Sequence, residues 1–166
     1  MKKFITAIII VLSLSANAQL QLTPNGFNTI TVERPAKTDE KFIELARSWA
    51  ASYNRTIDYP FEFYNVTANS FDLDAERPNA FYYRNRGEAY YHRIKYKMHI
   101  ELDDKSYTIS FTVREIYTSN VLTEMTVGSL FAPDNRLKEE YLDAKPSLEK
   151  TANGIVKSFV DYLATY

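Results

Sequence analysis

Residues 90–117 read YYHRIKYKMHIELDDKSYTISFTVREIY. Tyr90, His92, Ile94, Tyr96, Met98, Ile100 and Leu102 alternate with Tyr91, Arg93, Lys95, Lys97, His99 and Glu101. A period of two divides a chain into two chemical faces only if the chain is extended, so this run is a strand with one apolar and one basic face. After Asp103-Asp104 the pattern resumes, with Tyr107, Ile109, Phe111 and Val113 on one face and Thr108, Ser110, Thr112 and Arg114 on the other. The hairpin must set apolar opposite apolar, because a slip of one residue sends every side chain to the wrong face. A loop of two or four residues satisfies this and one of three does not. With Asp103-Asp104 as the loop, Met98 faces Ile109 and Tyr96 faces Phe111.

Upstream of the hairpin the period becomes helical. Phe42, Leu45, Ala46, Trp49 and Tyr53 recur at three- and four-residue steps, which predicts an amphipathic helix of about four turns at 3.6 residues per turn. Thr38 is placed to cap it, and Asp39 and Glu40 fall in the first turn, where the helix dipole favours acids. Its stripe, Trp49 included, reads as core. Before it, residues 27–32 predict a strand closed by Pro35. Residues 55–86 give strand-like fragments at 56–59, 62–67 and 80–84, broken by Pro60 and Pro78. After the hairpin, residues 121–135 read as irregular and 137–144 as a short helix. Pro146 suits the first position of a second helix, striped by Leu148, Ala152, Ile155, Phe159 and Leu163, with Gly154 a cost in its interior.

The 166 residues suit one domain. Lys plus Arg number 20 and Asp plus Glu 21, so no global field marks a nucleic-acid or polybasic membrane binder. The absence of cysteine excludes disulfides, thiol catalysis, thiolate metal sites and a lipidated N-terminal cysteine. Lys2 and Lys3 precede an apolar-leaning stretch, residues 4–14, then Ser15 and Ala16-Asn17-Ala18. This is the three-part pattern of a signal peptide, too short for the roughly 20 apolar residues of a spanning helix. Cleavage after Ala18 is expected to leave residues 19–166 as a single α+β domain, secreted to a periplasm or beyond with no stable membrane anchor. Losing Lys2 and Lys3 leaves it with a net charge of −3.

The early helix carrying Phe42-Ile43-Glu44-Leu45-Ala46-Arg47-Ser48-Trp49, the hairpin over residues 94–101 and 107–113, and the signal-like leader together resemble a family of secreted Bacteroides-type proteins. That family is a domain of unknown function with a TATA-box-binding-protein-like fold. Its hairpin turn often carries glycine, where this chain has Asp103-Asp104. The resemblance implies a curved antiparallel sheet with helices packed on one face, in the order β-α-β-β-β-β-α. It implies no activity, and DNA binding does not transfer to an exported, mildly acidic chain.

No phosphate-binding glycine loop, zinc-protease helix motif or serine-nucleophile elbow is present, and no cofactor or metal is expected. His92 lies directly opposite Glu115 in the two-residue register and diagonal to it in the four-residue one. Such a pair suits a general base with its orienting carboxylate, or an ordinary ion pair at the wet end of a hairpin. His99 falls on the other face. Asp72, Asp74 and Glu76 suggest a calcium loop but lack its glycine and distal glutamate, so they read as a solvated loop. Arg93, Lys95, Lys97 and His99, with Arg114 across the hairpin, form a basic stripe that suits an acidic partner or is simply a solvated face. Residues 59–96 hold 11 Phe or Tyr in 38, Tyr82, Tyr83, Tyr90 and Tyr91 among them, a composition that suits aromatic recognition or core filling.

The expectation is a non-catalytic domain that binds a protein or glycan in the cell envelope, and no nucleic acid. The alternative is a hydrolase-like enzyme using His92 and Glu115. A stripe neutralised by the chain's own acids would leave the aromatic segment around Tyr82 and Tyr83 as the recognition surface.

Overall fold

The computed structural model describes residues 19–166, so the expected leader lies outside the described residues. Strands β1 (Leu22–Thr23) and β2 (Gly26–Phe27) form a small hairpin, followed by β3 (Ile30–Glu33) and helix α1 (Asp39–Ile57). Then come β4 (Phe61–Tyr64), β5 (Ser70–Asn85), β6 (Glu88–Leu102), β7 (Ser106–Thr118) and β8 (Val121–Leu122), and finally helix α2 (Ala144–Thr165). The main sheet runs β3-β7-β6-β5-β4, with β8 on the side of β7, and every pairing is antiparallel. This is the α+β arrangement the sequence implied: a curved antiparallel sheet with the helices on one face, the small β1–β2 hairpin and β8 being additions.

The core forms where the apolar faces meet. Ile94, Tyr96, Met98 and Ile100 of β6 are fully buried, as are Phe42 and Ala50 of α1 and Leu148, Ala152 and Leu163 of α2. Aromatic rings join the layers: Phe42 meets Tyr107 edge-on at 4.9 Å and Trp49 meets Phe159 at 5.1 Å. Trp49 is thus a core residue, its indole N–H donating to Ser158 Oγ at 3.1 Å. Thr38 caps α1 as expected, its hydroxyl accepting from the Lys41 N–H.

The hairpin keeps its predicted parity but shifts its register. Met98 pairs with Phe111, Ile100 with Ile109 and Leu102 with Tyr107. The Asp103 N–H donates to the Ser106 carbonyl at 2.8 Å, so the tip is Asp104-Lys105 instead of Asp103-Asp104. The reason is burial: the expected register would set Leu102 against Lys105, whereas this one gives it the apolar Tyr107. Beyond Tyr96 a bulge intervenes, Tyr96 facing Val113 but Lys95 facing Glu115, with Arg114 the extra residue. The bulge brings Ile116 opposite Ile94, both buried.

Other boundaries moved as well. α1 runs to Ile57 and ends at Asp58 in left-handed backbone, so the fragment expected at 56–59 is not a strand. β5 passes through Pro78, because residues 78–80 form a bulge where β4 no longer pairs and no ladder hydrogen bond is required of the proline. That stretch of edge is covered by α2: Thr151 Oγ1 donates to the Ala80 carbonyl at 2.6 Å, and the Tyr82 N–H donates to Ser147 Oγ at 3.3 Å. The helix expected at 137–144 is a single 3₁₀ turn, Glu139–Tyr141. α2 starts at Ala144, with Pro146 still in the first turn, where N–H groups have no intrahelical acceptor.

Candidate functional site

Arg93, Lys95, Lys97 and His99 do share the face of β6 away from the helices, but β5 lays a row of acids beside them. Asp74 pairs in register with Lys97, Glu76 with Lys95 and Asp72 with His99. Arg93 Nη1 bonds Glu76, and its guanidinium lies 3.9 Å from the centre of the Tyr117 ring. Lys97 Nζ reaches Asp72 at 2.8 Å, and His99 Nδ1 reaches the other oxygen of the same carboxylate at 2.7 Å. Lys95 is flanked in register by Glu76 and Glu115. Arg114 does not complete the stripe, because the bulge makes it the unpaired residue and puts Glu115 opposite Lys95. The uncovered basic stripe expected from alternation is therefore a balanced lattice of acids and bases. Asp72, Asp74 and Glu76, read above as a solvated loop, are strand residues.

Asp72 is the hub of this lattice, with a side chain only 5% exposed. Burial alone would raise its carboxyl, yet hydrogen bonds from Lys97, Asn65 and His99, with the Lys97 charge, hold it down at about 2. A carboxyl depressed in the folded state stabilises the fold above its unfolded value and ceases to do so as pH falls through the folded one. From 3.8 to about 2 this corresponds to roughly 2 kcal/mol, lost between about pH 4 and pH 2. Urea unfolding across that window should show this slope, and Asp72→Asn should flatten it. An unchanged slope would contradict the hub.

The His92–Glu115 pair is not formed. His92 points into the core, 2% exposed, stacked against Phe81 at 4.7 Å and Tyr83 at 5.3 Å. Its Nδ1 is 2.9 Å from Thr118 Oγ1, and burial lowers its pKa. Glu115 lies on the opposite face and accepts from the Tyr117 hydroxyl. The changed register of the hairpin and the bulge at Arg114 together set Thr118, not Glu115, across from His92, and the bulge turns Glu115 to the other face. This is a packed histidine without a carboxylate to orient it, so the enzyme reading loses its residues.

Tyr82 and Tyr83 separate onto two faces. Residues 82–91 extend past the last pairings of β4 and β7, and within the sheet they pair only with one another. Arg86 and Gly87 close this ribbon with positive φ at both positions, 51° and 85°, the combination a tight two-residue hairpin needs and glycine supplies without strain. Tyr83 pairs with Tyr90 at 5.5 Å and packs edge-on against Tyr141 at 5.1 Å, on the helix side. Tyr82 pairs with Tyr91 at 5.6 Å on the outer side, where Tyr91 is 55% exposed. Arg84 lies over the Tyr82 ring and reaches Asp143 at 3.0 Å. The ribbon is thus fastened from behind while Tyr91 faces out. Leu122, 57% exposed, pairs with Tyr117 on the same outer face. Tyr91 belongs to the tyrosine-dense segment that the sequence points to, whereas nothing in the sequence marks Leu122 for this surface.

No protein-family model matches the sequence, and no curated protein is significantly similar to it. Among solved structures the chain is similar to a TBP-like protein from Parabacteroides distasonis, at 14% identity over 83% of this chain and 92% of that one, with a TM-score of 0.51. It is also similar to a DUF4468 family protein from Bacteroides ovatus, at 12% identity over 84% of this chain and 85% of that one, with a TM-score of 0.45. At such identity a likeness speaks of fold and leaves the partner open. The fold of this chain is the TBP-like one: a curved antiparallel sheet backed by two helices.

Proposed function

We propose that the chain is an exported, non-catalytic binding domain that engages a protein partner in the cell envelope through the outer side of the tyrosine ribbon. The observation that carries this reading is Tyr91, exposed and paired with Tyr82 on a ribbon fastened from behind by Tyr141 and Asp143. An aromatic ring presented this way anchors an interface at low entropic cost, since little ordering remains to be done on binding. The aliphatic Leu122, 57% exposed on the same outer face, favours a protein over a glycan, because sugars stack on rings but give branched aliphatics little to bury against.

The test compares capture from the native envelope fraction by three forms of the protein. Tyr82→Ala combined with Tyr91→Ala should weaken capture at least tenfold with the melting temperature nearly unchanged, while Lys95→Glu should leave capture intact. Recovered native protein should begin at Gln19 by mass spectrometry. Undiminished capture by the double variant contradicts the ribbon, and retention on envelope polysaccharide without any captured protein would replace the protein partner with a glycan.

A further inference from the structure

A groove of about 440 Å³ lies between Tyr53 near the end of α1, the bulged edge of β5 and the exposed side of α2. Its walls carry Tyr53, Arg77, Asn79, Lys150, Thr151 and Gly154. We infer that this groove is a binding site for a small molecule bearing a carboxylate or phosphate group, held by Arg77 with Lys150 at the rim.

Two observations converge on it. The first is Arg77 itself. On β5 it follows Leu73 and Ala75 at two-residue spacing, so it occupies the core-facing side of the strand, and it pairs across to the fully buried Ile94. Among the described residues neither Arg77 nor Lys150 has a carboxylate within ion-pair distance, in contrast to Arg93 and Lys97 on the outer face. The Arg77 guanidinium lies 5.9 Å from the centre of the Tyr53 ring, a cation–π contact that supplies no counter-charge, and its planar fork matches the two oxygens of an acid group.

The second is Gly154. It sits in the middle of α2, where glycine is disfavoured against alanine, yet a Cβ there would meet nothing within 4 Å. Packing within the chain therefore does not call for glycine. Lys150 and Gly154 are one turn apart on the same face of the helix, so the missing side chain keeps open the space beneath the lysine. The groove falls within the range of about 300–1,000 Å³ typical of small-molecule sites, and the bulge at residues 78–80 turns its wall outward.

The test is a titration of ¹⁵N-labelled protein, at matched ionic strength, with sodium D-glucuronate and with inorganic phosphate, using glucose as the uncharged counterpart. At least one anion should shift the Arg77 side-chain N–H and the Asn79, Thr151 and Gly154 amides saturably, and glucose should not; the responding anion tells carboxylate from phosphate. Arg77→Gln should weaken this binding at least tenfold. Gly154→Ala should also weaken it while raising the melting temperature by about 2–4 °C, opposite signs that mere loss of structure cannot give. Absence of saturable shifts with both anions, or full affinity retained in either variant, overturns the assignment. The outcome is independent of whether the ribbon captures a protein.

Discussion

Replacing Phe111 by alanine is expected to lower the unfolding free energy by about 3–5 kcal/mol, the range for deleting a buried aromatic. Phe111 is 2% exposed, stacks on Tyr96 at 4.9 Å and takes Phe27 edge-on at 5.4 Å. The cavity left by its ring would be walled by β6, which cannot collapse into it without breaking the sheet register, and by the β1–β2 hairpin. Thr112, its neighbour in sequence, is exposed on the outer face, and Thr112→Ala should stay within about half a kcal/mol. Urea unfolding of the two variants gives the comparison. Similar losses at both would mean that the faces of β7 are not divided as described.

The second large effect is expected at Arg93. Its side chain and that of Glu76 are only 16% and 19% exposed, and the guanidinium also covers the Tyr117 ring. Arg93→Ala strips the ring of its cation and leaves a mostly buried carboxylate uncompensated, at a cost of about 3 kcal/mol. Removing Glu76 as well should recover part of that loss, so the two substitutions should fall well short of additive in a double-mutant cycle. An Arg93→Ala loss within about half a kcal/mol would contradict the pairing. The same reasoning revises what alternation alone suggests for Lys97. A solvated lysine would be silent on removal, but this one holds Asp72, so Lys97→Ala should be measurably destabilising.

These expectations show which parts of the molecule could be read before it was folded. Period-two alternation correctly identified the buried face of β6 and β7 over residues 92–111, though Tyr90 is exposed, and the helical stripes from Phe42 and from Leu148 identified what covers it. Register was less legible, because parity admits more than one tip, and the choice depended on whether Leu102 met Tyr107 or Lys105. The two bulges left no mark that alternation detects. One let β5 run through Pro78, and the other moved Glu115 away from His92, removing the only acid–base pair the sequence offered. The acids were the avoidable omission. Asp72, Asp74 and Glu76 alternate with Phe71, Leu73 and Ala75 in the same period of two as the hairpin, and they would have marked an outer face complementary to the basic stripe. The proline that follows obscured the pattern by suggesting a break.

The separation of Tyr82 from Tyr83 follows from the same periodicity. One residue of offset turns Tyr83 toward Tyr141 and leaves Tyr82 with Tyr91 outside. The most direct measurement of which surface meets the partner is site-specific photo-crosslinking in intact cells, with a photoreactive phenylalanine analogue placed at Tyr91 or at Lys95. Binding through the ribbon predicts a discrete adduct from position 91 and none from position 95. An adduct from position 95 alone, or from neither position while the protein still captures its partner, would contradict the ribbon as the contact surface.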